Sequence, residues 1–266
     1  MSLPISVFII CQDEVERLEM VLRSVVDLSS DIVVVDSGST DGTIELAKLY
    51  TDRIYHREWS GFGEQKLYGE RLCKNNWILN LDADEVLSTE SRLAIARIVE
   101  RDPSNLKKKS GYELRVTMMS GINQVSKPSF MAPYNFTGRF YDKRYAGFSS
   151  SSVHDKLTEH STGAQKFPRL PGHVYHYSIK SYAHMWNKIG RYSEMQARSW
   201  VDKGRAPKLW LVFFEAPFFF MKHYIFRRLF ALGARGLVIA LALTGGRVMR
   251  RVIAAEMKKG NGLNEQ

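Results

Sequence analysis

Over its first hundred residues the chain alternates short apolar runs with segments of helical period, and few folds accept that pattern. Residues 5–11 (ISVFIIC), 31–35 (DIVVV) and 77–81 (WILNL) read as buried strands, and 52–55 as a short additional one. Between them, 14–26 carries Val15, Leu18, Val21, Leu22 and Val25 at helical spacing, and 43–50, 63–74 and 91–100 also read as helices. Residues 111–119 return as a strand. Strand and helix in alternation imply an α/β fold, a mostly parallel sheet with helices on both faces. In such sheets ligands bind beyond the carboxyl ends of the strands, so chemistry is expected in the loops that follow them.

A chain of 266 residues suits one large domain, or one domain plus an appendage. Residues 101–110 form a polar connector and 149–152 a serine run expected to be a flexible loop; there is no internal repeat. The character changes near Pro207. Between residues 204 and 259 there are eleven Lys or Arg against Glu215 and Glu256, so this stretch nets +9 of a whole-chain charge of +10. That balance calls for an anionic partner: nucleic acid, an acidic membrane or a phosphorylated substrate. The two cysteines, Cys11 and Cys73, form no CxxC pair, which argues against a disulfide scaffold or zinc site and for a reducing compartment. The run 5–11 has no basic start and ends in Gln12-Asp13-Glu14, so it is expected to be a strand rather than a leader, in a protein that is not secreted.

Two loops concentrate chemistry. Asp36-Ser37-Gly38-Ser39-Thr40-Asp41-Gly42-Thr43 follows the second strand, where Asp36 can accept hydrogen bonds from a base or ribose and the glycines allow a tight turn into a helix. The same residues also suit a plain strand-to-helix turn capped by Asp41 or Thr43. The loop is neither GxGxxG nor a P-loop. Asn80-Leu81-Asp82-Ala83-Asp84-Glu85 follows the strand at 77–81, and in an extended chain Asp82 and Asp84 point the same way. Paired carboxylates there suit a hard divalent cation whose remaining ligands come from a diphosphate; a pair of surface aspartates capping a helix is the alternative.

Together these segments resemble family 2 glycosyltransferases of the GT-A fold, in particular the bacterial lipopolysaccharide core β-1,4-glucosyltransferase group. Ser6 to Glu14 resembles the group's opening strand, with Cys11-Gln12-Asp13-Glu14 where Thr-Lys-Asn-Glu is usual. Trp59 to Lys66 resembles its Gly-Phe-Gly-x-Gln-Lys segment, Val153-His154-Asp155-Lys156-Leu157 its Val-His-Glu-x-Leu, and His176-Tyr177-Ser178 its His-Tyr-Ser/Thr. The resemblance implies a GT-A nucleotide-sugar-binding fold, Rossmann-like, over residues 1–206, followed by a basic, aromatic-rich helical tail over 207–266. It implies an inverting, metal-dependent hexosyltransferase, with UDP-glucose the expected donor and Mg²⁺ or Mn²⁺ the cofactor. Asp36 then corresponds to the residue contacting the nucleobase, Gln65 and Lys66 to polar residues near base and diphosphate, and Asp82 to the ribose-side aspartate. Asp84 corresponds to the metal ligand, and His176 completes the metal shell or touches the diphosphate. Asp155 stands where the general base is expected; Asp in place of Glu reaches about one methylene less, so Glu159 or another acid stays open, and His154 is its neighbour. The acceptor implied is a lipid-anchored glycan, the inner core of lipopolysaccharide. A related transferase on a polyprenyl-phosphate or capsule precursor, and a non-catalytic nucleotide-sugar or membrane-binding module, are the alternatives.

The tail is expected to lie on a membrane. Charges and a proline interrupt its apolar runs, Leu209 to Phe226 and Leu229 to Thr244, short of the ~20 residues a span requires. On a helix, Arg247, Arg250, Arg251 and Lys258 share a side opposite Val248, Val252 and Ala255. A basic amphipathic helix rich in aromatics favours the interface of an anionic membrane. The expected location is therefore cytoplasmic, peripheral on the inner face of the membrane, and nucleic acid is not expected as a partner. A pair of helices packed on the first domain, with a solvated basic face, is the alternative.

Overall fold

A computed structural model describes residues 2–101, 110–119, 132–148, 156–164, 166–179, 181–205 and 207–263. The chain divides into two units: residues 1–118 with 134–177, and residues 119–133 with 178–266.

The first unit is built on an eight-stranded sheet of order β3-β2-β1-β4-β7-β6-β10-β5. β1 (Leu3–Cys11), β2 (Ser29–Asp36), β3 (Ile54–His56) and β4 (Trp77–Asp82) are parallel neighbours and form one half. The other half is mixed: β5 (Glu85–Leu87), β6 (Gly111–Met118), β7 (Tyr134–Asp142) and β10 (Arg169–His176), with β6 and β10 parallel and the other pairs antiparallel. β8 (Ala146–Phe148) and β9 (Leu157–Glu159) form a separate hairpin. The strands are linked by α1 (Val15–Arg23), α2 (Thr43–Ala47), α3 (Phe62–Leu72) and α4 (Thr89–Arg101).

Both faces of the parallel strands are covered, which is why they read as apolar runs without alternation. On one face Ile5, Val7 and Ile9 of β1, Val34 of β2 and Leu79 of β4 pack with Leu18, Val21 and Leu22 of α1 and Ile95 of α4. On the other, Phe8, Ile10, Val33, Val35 and Ile78 pack with Tyr68 and Leu72 of α3 and with Phe148 and Leu157 of the hairpin. Successive residues of each strand thus feed opposite layers. At the amino end of this half, Asp31 accepts hydrogen bonds from Ser6 Oγ at 2.5 Å and Lys74 N at 2.8 Å and pairs with Arg53. Those partners outweigh burial and hold its carboxyl below the usual range.

The second unit contains α5 (Tyr182–Asp202), a 3-10 turn Leu209–Leu211 leading into α6 (Val212–Met221), a π turn Lys222–Phe226, a 3-10 turn Leu229–Leu232 and α7 (Gly233–Leu263). α5 and α6 both pack along α7. This places α5 with the tail helices, in the unit that takes residues 178–266 together with 119–133. The stretches Leu209–Phe226 and Leu229–Lys258 are long and apolar enough, by length and composition, to cross a membrane. Glu215, one of the charges expected to interrupt the first stretch, is paired with Arg251 of α7. The basic side of α7 is only partly turned to the outside: Lys258 is exposed, while Val248 and Ala255 are half-buried. Arg251 is buried, Arg247 and Arg250 are half-buried, and Val252 is exposed.

Candidate active site

Strand register sets the site. It places His56, Asp36 and Cys11 in one row across β3, β2 and β1, and Asp82 beside Ile10 across β4 and β1. These are the carboxyl ends of the parallel strands, on either side of the point where the strand order reverses from β1 to β4.

The loops after β1 and β2 are stitched together. Asp13 N donates to Ser39 Oγ and Thr40 N to Asp13 Oδ1, both at 2.8 Å, and Glu14 N donates to Thr43 Oγ1 at 2.8 Å. Asp13 takes φ 53°, a left-handed conformation that Asp and Asn tolerate better than most residues. Gly38 and Gly42 take φ 94° and 90°, which a side chain would strain. Asp36 is fully buried and accepts from Gly38 N at 2.8 Å, Ser39 N at 3.0 Å and Ser39 Oγ. Its carboxylate therefore shapes the loop from below. The Cys11 thiol lies 3.7 Å from Asp36 Oδ1, and burial and that carboxylate keep it protonated. Gln65, on α3, is buried as well. Its Nε2 donates to Ser37 Oγ and to the Arg57 and Glu58 carbonyls, each at 3.0 Å, while its Oε1 finds no donor among the described residues.

Lys66 follows Gln65 on α3 and is fully buried, not solvated; its Nζ lies 2.9 Å from Asp82 Oδ1. Arg139 of β7 reaches the other oxygen of Asp82 at 3.1 Å, and also Asn80 Oδ1 at 3.0 Å and Glu85 Oε1 at 2.5 Å. Burial opposes ionisation of Asp82, but Lys66 and Arg139 overcome it and hold its carboxyl far below the usual range. Burial pushes Glu85 upward, against the pull of Arg139.

Asp82 and Asp84 come together for a reason other than strand alternation. β4 ends at Asp82, Ala83 and Asp84 form a turn, and the chain re-enters the sheet as β5 beside β10. The turn sends Asp84 to its own partners. His176 Nε2, at the end of β10, lies 3.3 Å from Asp84 Oδ2, and Arg17 Nη1 of α1 lies 3.5 Å from the same oxygen. Arg17 is buried, forks onto Glu14, and donates to the Tyr177 carbonyl at 2.5 Å, while Tyr177 N donates to the Asp84 carbonyl at 2.9 Å. Burial disfavours the imidazolium of His176, but Asp84, Glu85 and Asp82 outweigh it and raise its pKa to about 9.

The structure therefore gathers Asp82, Asp84, His176 and Lys66 at one edge, with Asp36 and Gln65 beneath the adjoining loop. Asp155 and His154 lie outside the described residues. Glu159 is engaged by Ser110 Oγ at 2.7 Å and Thr162 Oγ1 at 2.5 Å. Sequence reasoning missed Arg17 and Arg139. Arg139 had a visible signal, a lone cation between Phe136 and Tyr141 in a strand-like run; Arg17 looked like any polar residue of an amphipathic helix. Among the described residues no three His, Cys, Asp or Glu side chains form a metal-binding group. Asp84 and His176 do bring one carboxylate oxygen and one imidazole nitrogen to the same point, and their side chains are 18% and 32% exposed. Such a donor set fits a divalent cation completed by substrate oxygens.

A mostly parallel sheet flanked by helices, with acids and bases gathered at its carboxyl edge, is the architecture of the GT-A class. The chain belongs to the family 2 glycosyltransferases. The model of that family, "Glycosyl transferase family 2", matches residues 6–106. A glycosyltransferase of Rickettsia bellii, itself uncharacterized, is 33% identical over 251 residues, covering 92% of this chain and 84% of that protein. The lipopolysaccharide core biosynthesis glycosyltransferase LpsC of Rhizobium meliloti is 25% identical over 272 residues, covering 94% and 93%. Among solved structures, S. aureus TarS 1–349 aligns with 98% of this chain and 92% of that one, at 15% identity and a TM-score of 0.39.

Proposed function

We propose that this glycosyltransferase is inverting and metal-dependent, and that it moves glucose from UDP-glucose to a lipid-anchored glycan, the inner core of lipopolysaccharide, at the cytosolic face of a membrane. The meeting of Asp84 and His176 at 3.3 Å, beside the Lys66–Asp82–Arg139 cluster, carries this reading. The similarity to LpsC over nearly the whole chain supports the choice of acceptor.

Asp84 and His176 would hold Mg²⁺ or Mn²⁺, which as a Lewis acid offsets charge on a departing diphosphate. His176 must give up its proton to serve, and Asp84, already ionised, needs no change. Arg17 fixes the Asp84 turn through the Tyr177 carbonyl. Lys66 and Arg139 keep Asp82 ionised and aimed at the edge, where it can accept from ribose hydroxyls. Asp36 and Gln65 set the shape of the loop that faces the base. Asp155 would take the proton from the attacking acceptor hydroxyl on the face opposite the diphosphate, a contribution of ~10²–10⁴-fold.

Transfer measured over a panel of sugar nucleotides, with and without EDTA, tests the reading. Glucose transfer from UDP-glucose that EDTA abolishes and Mn²⁺ or Mg²⁺ restores is the expected result. Full turnover in EDTA, or preference for another donor, overturns the corresponding part.

A further inference from the structure

The helical unit exposes large apolar side chains that a water-facing unit would cover, while a few of its charged side chains pack between its helices. Arg251 pairs with Glu215 with Nε to Oε2 at 2.7 Å, Arg250 donates to Gln196 at 2.6 Å and lies 4.2 Å from the Trp200 ring, and Arg247 lies 3.5 Å from the Phe219 ring. Its large apolar side chains point out: Phe213 is 81% exposed, Phe214 69%, Phe218 62% and Phe226 79%. No residue of Leu209–Phe226 is buried within the protein. On α7, Leu241, Met249 and Val252 are exposed as well. Exposed apolar patches of this extent mark a surface made for another phase or partner.

The geometry points to the acyl-chain region of a lipid bilayer as what covers this face, so that the unit is held by apolar insertion and not by its basic residues. The inference rests on the membrane location proposed above and changes its mechanism: of the arginines expected to face anionic headgroups, Arg251 is buried against Glu215, and Arg247 and Arg250 are half-buried against Phe219 and Trp200. The exposed cations Lys208, Arg227 and Arg228 flank the apolar stretch in sequence, and Lys222 lies within it. Headgroup phosphates can accept them at the edge of an inserted surface. A second copy of the chain would bring like charges together at that border, which disfavours it as the occupant.

Vesicle flotation of the full-length chain tests this, using neutral phosphatidylcholine vesicles and vesicles containing phosphatidylglycerol, at low salt and at about 1 M salt, where charge attraction is screened within ~3 Å. Flotation with neutral vesicles that persists at high salt is expected. Phe213→Ser, Phe214→Ser and Phe218→Ser together should lower partitioning on the order of 10²-fold, whereas Arg227→Gln with Arg228→Gln should keep binding to neutral vesicles. Binding only to anionic vesicles, lost in high salt, would overturn the inference. So would a full-length chain that ignores all vesicles but sediments as an oligomer that the phenylalanine variant dissolves. Hydrolysis of UDP-glucose by the same preparations reports separately on the transferase reading and on folding.

Discussion

Lys66 offers the sharpest test of how the site is held, because a fully buried lysine has little reason to exist except its partner. Its ammonium lies 2.9 Å from Asp82 Oδ1. At an effective dielectric of about 20 the gross attraction at that distance is about 6 kcal/mol. Desolvation of both groups offsets much of it, yet deleting one partner of a buried pair still costs ~3–5 kcal/mol, because the other charge stays behind. Arg139 remains 3.1 Å from the second oxygen of Asp82 and keeps it partly compensated. Lys66→Met, which retains most of the stem, should therefore lose ~3 kcal/mol of unfolding free energy. Asp82→Asn in the same background should return part of that loss, giving a coupling energy above ~1 kcal/mol in a double-mutant cycle. Urea denaturation followed by fluorescence and circular dichroism measures all four proteins. A loss below ~0.5 kcal/mol, within the range of an ordinary surface change, or strict additivity of the two changes, would refute the argument that Lys66 is there to hold Asp82.

Three further outcomes follow. Asp31, held below its usual pKa by Ser6, Lys74 N and Arg53, contributes stability that is present above the unfolded carboxylate range and is lost as pH falls through the lowered folded value; thermal melts should show Asp31→Asn flattening that acid limb. Asp36→Ala strips acceptors from Gly38 N, Ser39 N and Ser39 Oγ, so it should cost ~1–3 kcal/mol and raise the KM for the sugar nucleotide; an unchanged KM would remove the loop from donor binding. Asp155→Asn should lower turnover by at least ~10²-fold with donor affinity kept; if Glu159→Gln does this instead, Glu159 is the base despite its bonds to Ser110 and Thr162.

The half of the molecule that was legible in the sequence is the half whose strands are covered on both faces. There Ile5 to Cys11, Ile32 to Val35 and Trp77 to Leu81 are apolar but for Ser6 and Asn80, and the residues that close or follow them include Asp36, Asp82 and Asp84. The mixed half was harder, because β6, β7 and β10 carry Glu113, Arg115, Arg139 and Arg169 among their apolar residues, and antiparallel pairing gives no periodic cue to register. Arg139 reaches Asp82 only through the β4–β7 pairing, a contact between residues 57 positions apart. Arg17 depends on the fold in the same way, since its partner Tyr177 is 160 residues distant. In the tail the charge count was legible, but which arginines pack between helices was not. Helical periodicity separates the arginines from Val252, but it cannot say which of the two sides meets Glu215 and Trp200.

Under the proposed function, donor binding depends on a cation held jointly by Asp84 and His176. Calorimetric titration of UDP into the full-length protein, with Mn²⁺ and with EDTA, tests it without requiring the acceptor. Binding should be at least ~10-fold tighter with Mn²⁺, a coupling of about 1.4 kcal/mol or more, and Asp84→Asn or His176→Ala should abolish the difference. Equal affinity with and without Mn²⁺, or a Mn²⁺ effect that survives both substitutions, would contradict it.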